Sequence, residues 1–347
     1  MEAKQGEPRQ AIAAKDKVHD RGPGKSRPYM GLLRQKGQRS FPKGANQIHM
    51  VRRSDGCATT LSSSHAAKPG RPPLSDFRDI LYAVEGPLGI ITLNRPAYRN
   101  AQSYRMLDEI DQAFGLAKAD DGVRVVIVRG AGGVFSTGHD LGTAEALDYR
   151  ASLGAKSGIE TYDQFKRYNL DLLVNWRNFP KPTIAMVEGY CIYAGWMLAA
   201  AMDVVFAAAN AEFLAGFVEY MSIPWDIGVR RAKELCFESR FISAAEARDY
   251  GFVNRVLATE DLERETYAWA RRVAENSSDA LRFAKIQMNK AQDAQGFMQA
   301  LEDSLGDYQA MMYLPGHEMR VEGERRLLTV DLAVRGRRGE RFGLTPD

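Results

Sequence analysis

The chain has 347 residues, more than one ordinary domain needs and fewer than two large ones. Its formal charge of +3 hides an asymmetry: residues 1–75 hold 15 Lys/Arg and 5 Asp/Glu, leaving residues 76–347 mildly acidic with 32 and 39. Hydrophobic residues make up 45% of the chain, but no apolar run reaches transmembrane length and no secretory apolar stretch is present, so a soluble, cytoplasmic protein is expected.

In chain order, residues 1–75 come first. "RGPGKSRPYMGLLRQKGQRSFPKG" and "SSSHAAKPGRPPLS" are rich in Gly, Pro, Ser and Arg, with no sustained apolar period. Such a composition buries too little surface to offset its ordering entropy, so a disordered extension without catalytic role is expected. A basic tail for nucleic acid or membrane, a targeting peptide and an early start site are the competing readings. Glu2, Glu7, Asp16 and Asp20 argue against a transit peptide. No interleaving of aromatic and basic residues suggests an RNA-binding module.

Regular patterning starts near residue 78. "GIITLN" (89–94) reads as a short buried strand closed by Arg95-Pro96. Ser103 offers an N-cap to a helix whose face carries Leu107, Ile110, Phe114 and Ala117. "VRVVIV" (123–128) reads as a buried parallel strand. Residues 161–177 predict a helix, 183–189 a strand, Gly195 to Met202 a small-residue helix, and 203–206 another strand. This alternation indicates an α/β core with right-handed crossovers. Further on, Ser243 and Glu246 form the S-x-x-E capping box of a short helix stopped at Gly251, and "FVNRVL" offers a last strand. Residues 260–275, 279–292 and 297–312 carry helical periodicity, and the final "VRGRRGERFGLTPD" looks loose. The expected domains are therefore the 1–75 extension, a 76–258 core and a 259–347 helical region.

Cys57, Cys191 and Cys236 are scattered, which fits a reducing compartment, and the five histidines lack metal-ligand spacing. No metal is expected. The Gly-rich "RGAGGVFSTGHDL" after the second strand fails both nucleotide signatures: His139 stands where a P-loop needs Lys, and Phe135 where a dinucleotide fingerprint needs its third Gly. Taken by itself it reads as a turn. A second strand–loop–helix junction, "GYCIYAGWMLAAAMD", lies further along the same sheet. Two loops at one sheet edge can each aim a backbone N–H at one oxygen, the geometry of an oxyanion hole.

"ITLNRPAYRNAQSYRMLDEI", "VRVVIVRGAGGVFSTGHDL", "KPTIAMVEGYCIYAGWMLAAAMDV" and "SAAEARDYGFVNRVL" together resemble, in order and spacing, the crotonase superfamily, the enoyl-CoA hydratase/isomerase family. The resemblance covers about residues 80 to 293. It implies a spiral of ββα repeats with a C-terminal helical subdomain, and trimers or pairs of trimers. It also implies an acyl-CoA substrate, with coenzyme A part of that substrate rather than a separate cofactor. It places the two oxyanion donors at the backbones of His139 and Ala194, Arg99 near the CoA moiety, and Thr137, Gly138, Asp140 and Leu141 along the pantetheine. No nucleic-acid or membrane partner is expected for the core.

The resemblance also marks two positions where hydratases carry glutamates that hold and deliver water. Here they fall on Met197 and, by count, on Phe217, and neither side chain moves a proton. Asp226, in "SIPWDIGVRRAKEL", is the first substitute, its bland reading being an N-cap for the following helix. Glu219 is the second, its bland reading being a surface or interface residue. The His139 side chain is expected to point away. Asp140 is expected to hold its loop through Asx-type bonds, while Tyr193 and Trp196 either shape the acyl pocket or join the core. The sequence thus implies a family member that stabilises a thioester enolate without the hydratase glutamates. A non-catalytic acyl-CoA-binding homologue and a hydrolase of C–C or thioester bonds are the alternatives.

Overall fold

The computed structural model describes residues 76–155, 157–313 and 334–337. The chain divides into two units, Met1–Lys68 and Pro69–Asp347, and every described residue belongs to the second. The expected disordered extension over residues 1–75 lies outside the described residues.

Six strands form the main sheet, ordered β1 (Ile80–Glu85), β2 (Leu88–Leu93), β3 (Val125–Gly130), β4 (Thr183–Val187), β6 (Val204–Ala208) and β9 (Arg255–Leu257). Only the β1–β2 pair is antiparallel. A smaller sheet joins β5 (Tyr190–Ile192), β7 (Glu212–Leu214) and β8 (Ile242–Ser243). β2, β3 and β4 are apolar almost throughout because both faces of the sheet are covered. Alternate residues divide between two cores. Ile91, Leu93, Val126, Val128, Ala185 and Val187 pack under α1 (Tyr104–Ala119), α4 (Leu172–Arg177) and α5 (Ala194–Ala200). Leu88, Ile90, Val125, Ile127, Ile184 and Met186 face α9 (Leu262–Ala274).

The chain advances by repeats. β4 leads into β5 of the second sheet and then α5; β6 leads into β7 and then α6 (Ile223–Ile227). The segment after β3 joins the same layer through the parallel bridge Ser136–Cys191, and the segment after β2 through Gln102–His139. That succession is the expected ββα spiral. It brings the loops after β2, β3 and β5 side by side.

Local readings hold where a cap or a buried run is present. Ser103 accepts from Met106 N at 3.1 Å, and α1 ends at Ala119. The 161–177 helix is real but interrupted: α3 (Gly158–Lys166) passes through a π-helical turn, Arg167–Asp171, into α4. There the Asn169 side chain donates to Phe165 O at 2.8 Å, an intrusion that accompanies the wider turn. The capping box of α8 (Ala244–Asp249) is only half made. Ser243 caps Glu246 N, but the Glu246 carboxylate turns to Arg240 at 2.7 Å and Tyr250 at 2.9 Å. An arginine offers a charged partner that a lone N-cap amide cannot match. Asp226 does not cap α7 (Val229–Glu238); Gly228 is its N-cap, without a side-chain bond, and Asp226 belongs to α6. After α9 come α10 (Ser278–Ala294) and α11 (Phe297–Tyr313). Within the final stretch read as loose, residues 334–337 form one helical turn.

α10 is joined to the sheet by Lys285, whose Nζ lies 2.8 Å from Asp203 Oδ2. That oxygen also accepts from Thr183 N and Oγ1, at 2.8 and 3.0 Å. Burial pushes the Lys285 ammonium below its ordinary pKa, and the Asp203 charge opposes the shift. Asp203→Ala leaves that ammonium buried without its carboxylate and should cost about 3 kcal/mol in urea unfolding. Lys285→Met removes the charge but keeps the packing and should cost much less. Equal losses would mean that the ion pair is not what joins α10 to the sheet.

Candidate active site

The loop after β3 is fixed from below by buried polar side chains. Arg95, with a side chain only 5% exposed, donates to Asp140 Oδ2 at 2.8 Å and to Ala101 O at 2.7 Å. Asp140 accepts in addition from Thr143 N at 2.9 Å and Thr143 Oγ1 at 2.6 Å. Burial works against the Asp140 charge, but the Thr143, Arg95 and Gly142 donors outweigh it and hold its carboxyl below the usual range. Asn100 donates to Ala131 O and Val134 O, at 2.9 and 2.6 Å. Gln102 Nε2 bonds Ser136 Oγ at 3.0 Å and Ala194 O at 3.1 Å, tying the β3 loop to α5. Sequence reading missed Arg95, Asn100, Gln102 and Ser136, which position both loops.

Gly138 is the turn (φ +94°), and a Cβ there would sit 3.0 Å from Ile192 O and 3.4 Å from Ala194 N. Its neighbour His139 has a defined backbone direction. Gln102 N donates to Gly138 O at 2.7 Å and Asp140 N donates to Gln102 O at 2.9 Å. In a parallel bridge of this kind the residue between those two partners turns its own N–H to the opposite side. For His139 that side is the one where β5 pairs with Ser136 and runs into α5. Ala194 opens α5, so its N–H has no acceptor within the helix. Tyr193, at φ +47° and ψ −104°, makes the sharp entry, a backbone conformation that costs a non-glycine residue roughly 1–3 kcal/mol.

Met197 is buried (1% exposed), whereas Phe217 is 41% exposed and lies against the Tyr308 ring at 5.6 Å. Glu219 is buried rather than at the surface, with Oε2 3.7 Å from His139 Nε2. The imidazole therefore points towards a carboxylate inside the protein. Burial opposes the Glu219 charge, but His139 and the hydroxyl of Tyr308, on α11, prevail and hold its pKa below the ordinary value. The Tyr308 hydroxyl shifts upward in turn, through burial and the adjoining Glu219 charge.

Asp226 is placed differently. Its Oδ2 accepts from Trp196 Nε1 at 2.9 Å and Ser222 Oγ at 2.8 Å. Burial without a cation pushes its pKa up to about 6, the two hydrogen bonds pulling the other way. Trp196 itself belongs to the core, stacked on Phe252 at 4.0 Å.

Arg99 and Thr137 meet at the mouth of a pocket of about 620 Å³, with Tyr190, Ile192 and Phe241. Val334 and Arg337 close one side, Arg337 bonding Tyr190 Oη at 2.9 Å and Glu212 at 2.7 Å. The structure thus brings together His139, Ala194, Gly138 and Glu219, with Arg99 and Thr137 beside them. Asp140 faces inward and Leu141 is 80% exposed.

The family profile for enoyl-CoA hydratase/isomerase matches residues 84–313. The chain belongs to that family. A protein of Mycobacterium tuberculosis named "Putative enoyl-CoA hydratase EchA13" is 38% identical over 250 residues, 65% of this chain and 78% of its own. The crystal structure of a probable enoyl-CoA hydratase from Mycobacterium smegmatis superposes with a TM-score of 0.61 at 37% identity, covering 67% of this chain and 93% of that one. An enoyl-CoA hydratase/isomerase from Xanthobacter autotrophicus Py2 gives 0.59 at 34% identity, covering 66% and 86%. These are crotonase-fold neighbours. Among the described residues no three or more His, Cys, Asp or Glu side chains are grouped so as to hold a metal, and no helix is long and apolar enough to cross a membrane.

The Asp226 carboxyl gives the fold a defined pH dependence. With a pKa raised from 3.8 to about 6, it contributes stability that is fully present below pH 4 and lost as pH rises through 6. Asp226→Asn keeps an oxygen for Trp196 and Ser222 and should gain about 2 kcal/mol over the wild type at pH 8, and nothing at pH 4. Urea melts at the two pH values measure it. A difference that does not change with pH would contradict the assigned shift.

Proposed function

We propose that this chain is an enzyme of its family that binds an acyl-CoA thioester with the carbonyl oxygen between the N–H groups of His139 and Ala194. The observation that carries the reading is the turn at Gly138. It directs the His139 N–H towards the side of the loop on which α5 begins, with Ala194 N 3.4 Å from where a Cβ on Gly138 would stand. Two such donors stabilise the charge that reaches the oxygen when an enolate forms, and losing one typically costs about 3–4 kcal/mol. The pocket lined by Arg99, Thr137 and Ile192 suits the CoA portion, Ile192 O being the group nearest a Cβ on Gly138.

The chemistry is proton transfer beside the thioester rather than hydration. Met197 and Phe217 offer nothing to hold or activate water. Asp226, with its pKa pushed up to about 6, is a group able to hold a proton near neutral pH and return it to carbon. Glu219, held ionised, acts as a fixed anion. Migration of a double bond in an enoyl-CoA needs these parts and no bound water. A homo-trimeric or hexameric assembly and a cytoplasmic setting accompany the reading. The exposed Phe237, Phe283 and Met288, at 82%, 66% and 66%, are available for contacts between copies.

Mass-resolved incubation of the full chain with crotonyl-CoA and a 3-enoyl-CoA tests it. The expected result is no water adduct from crotonyl-CoA, and conversion of the 3-enoyl-CoA to its conjugated isomer at unchanged mass. Asp226→Asn should slow that conversion about 100-fold or more with binding retained. Water addition at a catalytic rate would overturn the reaction proposed. Release of free CoA would favour a hydrolase, and tight binding without turnover a non-catalytic homologue.

A further inference from the structure

His139 carries a second feature besides its backbone. Its Nε2 is buried without a hydrogen-bond partner among the described residues, and Glu219 Oε2 lies at ion-pair distance, 3.7 Å. The imidazole is 22% exposed and the Glu219 side chain 6%, so one end of the ring faces a buried anion while the ring keeps an open side. A carboxylate placed behind an imidazole fixes which nitrogen carries the proton and stabilises the imidazolium, the arrangement that makes histidine an effective base. At 3.7 Å the Glu219 carboxylate faces the Nε2 edge of the ring without a hydrogen bond, and Nδ1 lies on the other edge.

We propose that His139 is the base that removes the α-proton of the bound acyl thioester, with Glu219 as its positioning residue. The inference rests on the acyl-CoA reading above, in which the thioester oxygen lies at the N–H of this same residue. One residue then serves the carbonyl with its backbone and the adjacent carbon with its side chain. In the step, the α-C–H bond breaks and its proton passes to Nδ1. The bonding pair forms the carbon–carbon double bond of the enolate, and the carbonyl π pair moves onto the oxygen between His139 N–H and Ala194 N–H. The imidazolium so formed faces the Glu219 carboxylate, and the enolate charge rests between the two N–H groups. Return of a proton to carbon completes the exchange, so no oxidant or further reactant is required.

The groups that surround the Glu219 carboxylate come from several elements. Tyr308 on α11 hydrogen-bonds Glu219; Tyr104 on α1 faces the same carboxylate and is itself covered by Arg150. Asp140, next in sequence, is already neutralised by Arg95.

The test uses the full chain with phenylacetyl-CoA, whose α-C–H is activated and which has no double bond to migrate. Deuterium uptake from heavy water is followed by mass spectrometry, and binding by calorimetry. The wild type should exchange the α-hydrogens. His139→Gln and His139→Ala keep the backbone N–H, and should bind the probe as the wild type does while losing exchange at least about 100-fold. Added imidazole should restore part of the loss in His139→Ala. Glu219→Gln should slow exchange about 10-fold at saturating probe while the calorimetric affinity stays unchanged, because the anion facing the imidazole is gone. Exchange that persists in His139→Ala, a loss that imidazole leaves unrepaired, or a bound wild type that never exchanges would overturn the proposal. A wild type that fails to bind would count against the acyl-CoA reading itself.

Discussion

The arrangement depends on how closely two loops approach, backbone against backbone. A Cβ on Gly195 would stand 2.6 Å from Ser136 O, and one on Gly138 3.0 Å from Ile192 O. A side chain at Gly195 would require main chain to move, since Cβ contacts under 3.0 Å are essentially never made, and one at Gly138 would be tight against Ile192 O and strained at φ +94°. Because the loops touch directly, the N–H groups of His139 and Ala194 are set by the sheet rather than by side-chain rotamers. In the proposed reading, donors fixed in this way would need no reorganisation when charge develops between them.

Polar groups under the loops hold that approach in place. Arg95 joins Asp140, Ala101 and Thr143, and Ser136 and Gln102 link the loop after β2 to the loop after β3 and to Ala194. The buried charges near the site differ in what opposes them. Asp140 faces a guanidinium and Glu219 an imidazole, and both carboxyls lie below their ordinary pKa. Asp226 faces only the neutral donors of Trp196 and Ser222 and lies above it. One protein thus holds fixed anions and a titrating acid within neighbouring elements, a division of roles produced by environment and not by residue type.

Much of this was legible in the sequence. Buried β-branched runs marked β2, β3 and β4, and Ser103 and Ser243 marked helix starts because a cap is a local device. β1 escaped notice although its alternation, Ile80, Tyr82 and Val84 turned inward, is the period of a half-covered edge strand. β5, β7 and β8 have three residues or fewer, too short to carry any period. The loop donors proposed at His139 and Ala194 rest on family resemblance, and the side-chain contacts around them have no counterpart in the sequence reading. His139 and Glu219 lie 80 positions apart, and Asp226 and Trp196 lie 30 apart. Nothing local in the sequence sets a distance between such residues. The expectation that the His139 side chain points away took no account of Glu219 as its partner.

The central claim is that two fixed N–H groups polarise a thioester carbonyl, and vibrational spectroscopy reads that directly. Isotope-edited difference infrared spectra of an acyl-CoA labelled with carbon-13 at its carbonyl would be recorded free and bound to the full chain. The account predicts that the carbonyl band moves to lower frequency on binding and narrows, as expected for an oxygen held by two donors in one geometry. A band that stays at its aqueous position, or rises as in an apolar pocket, would contradict it.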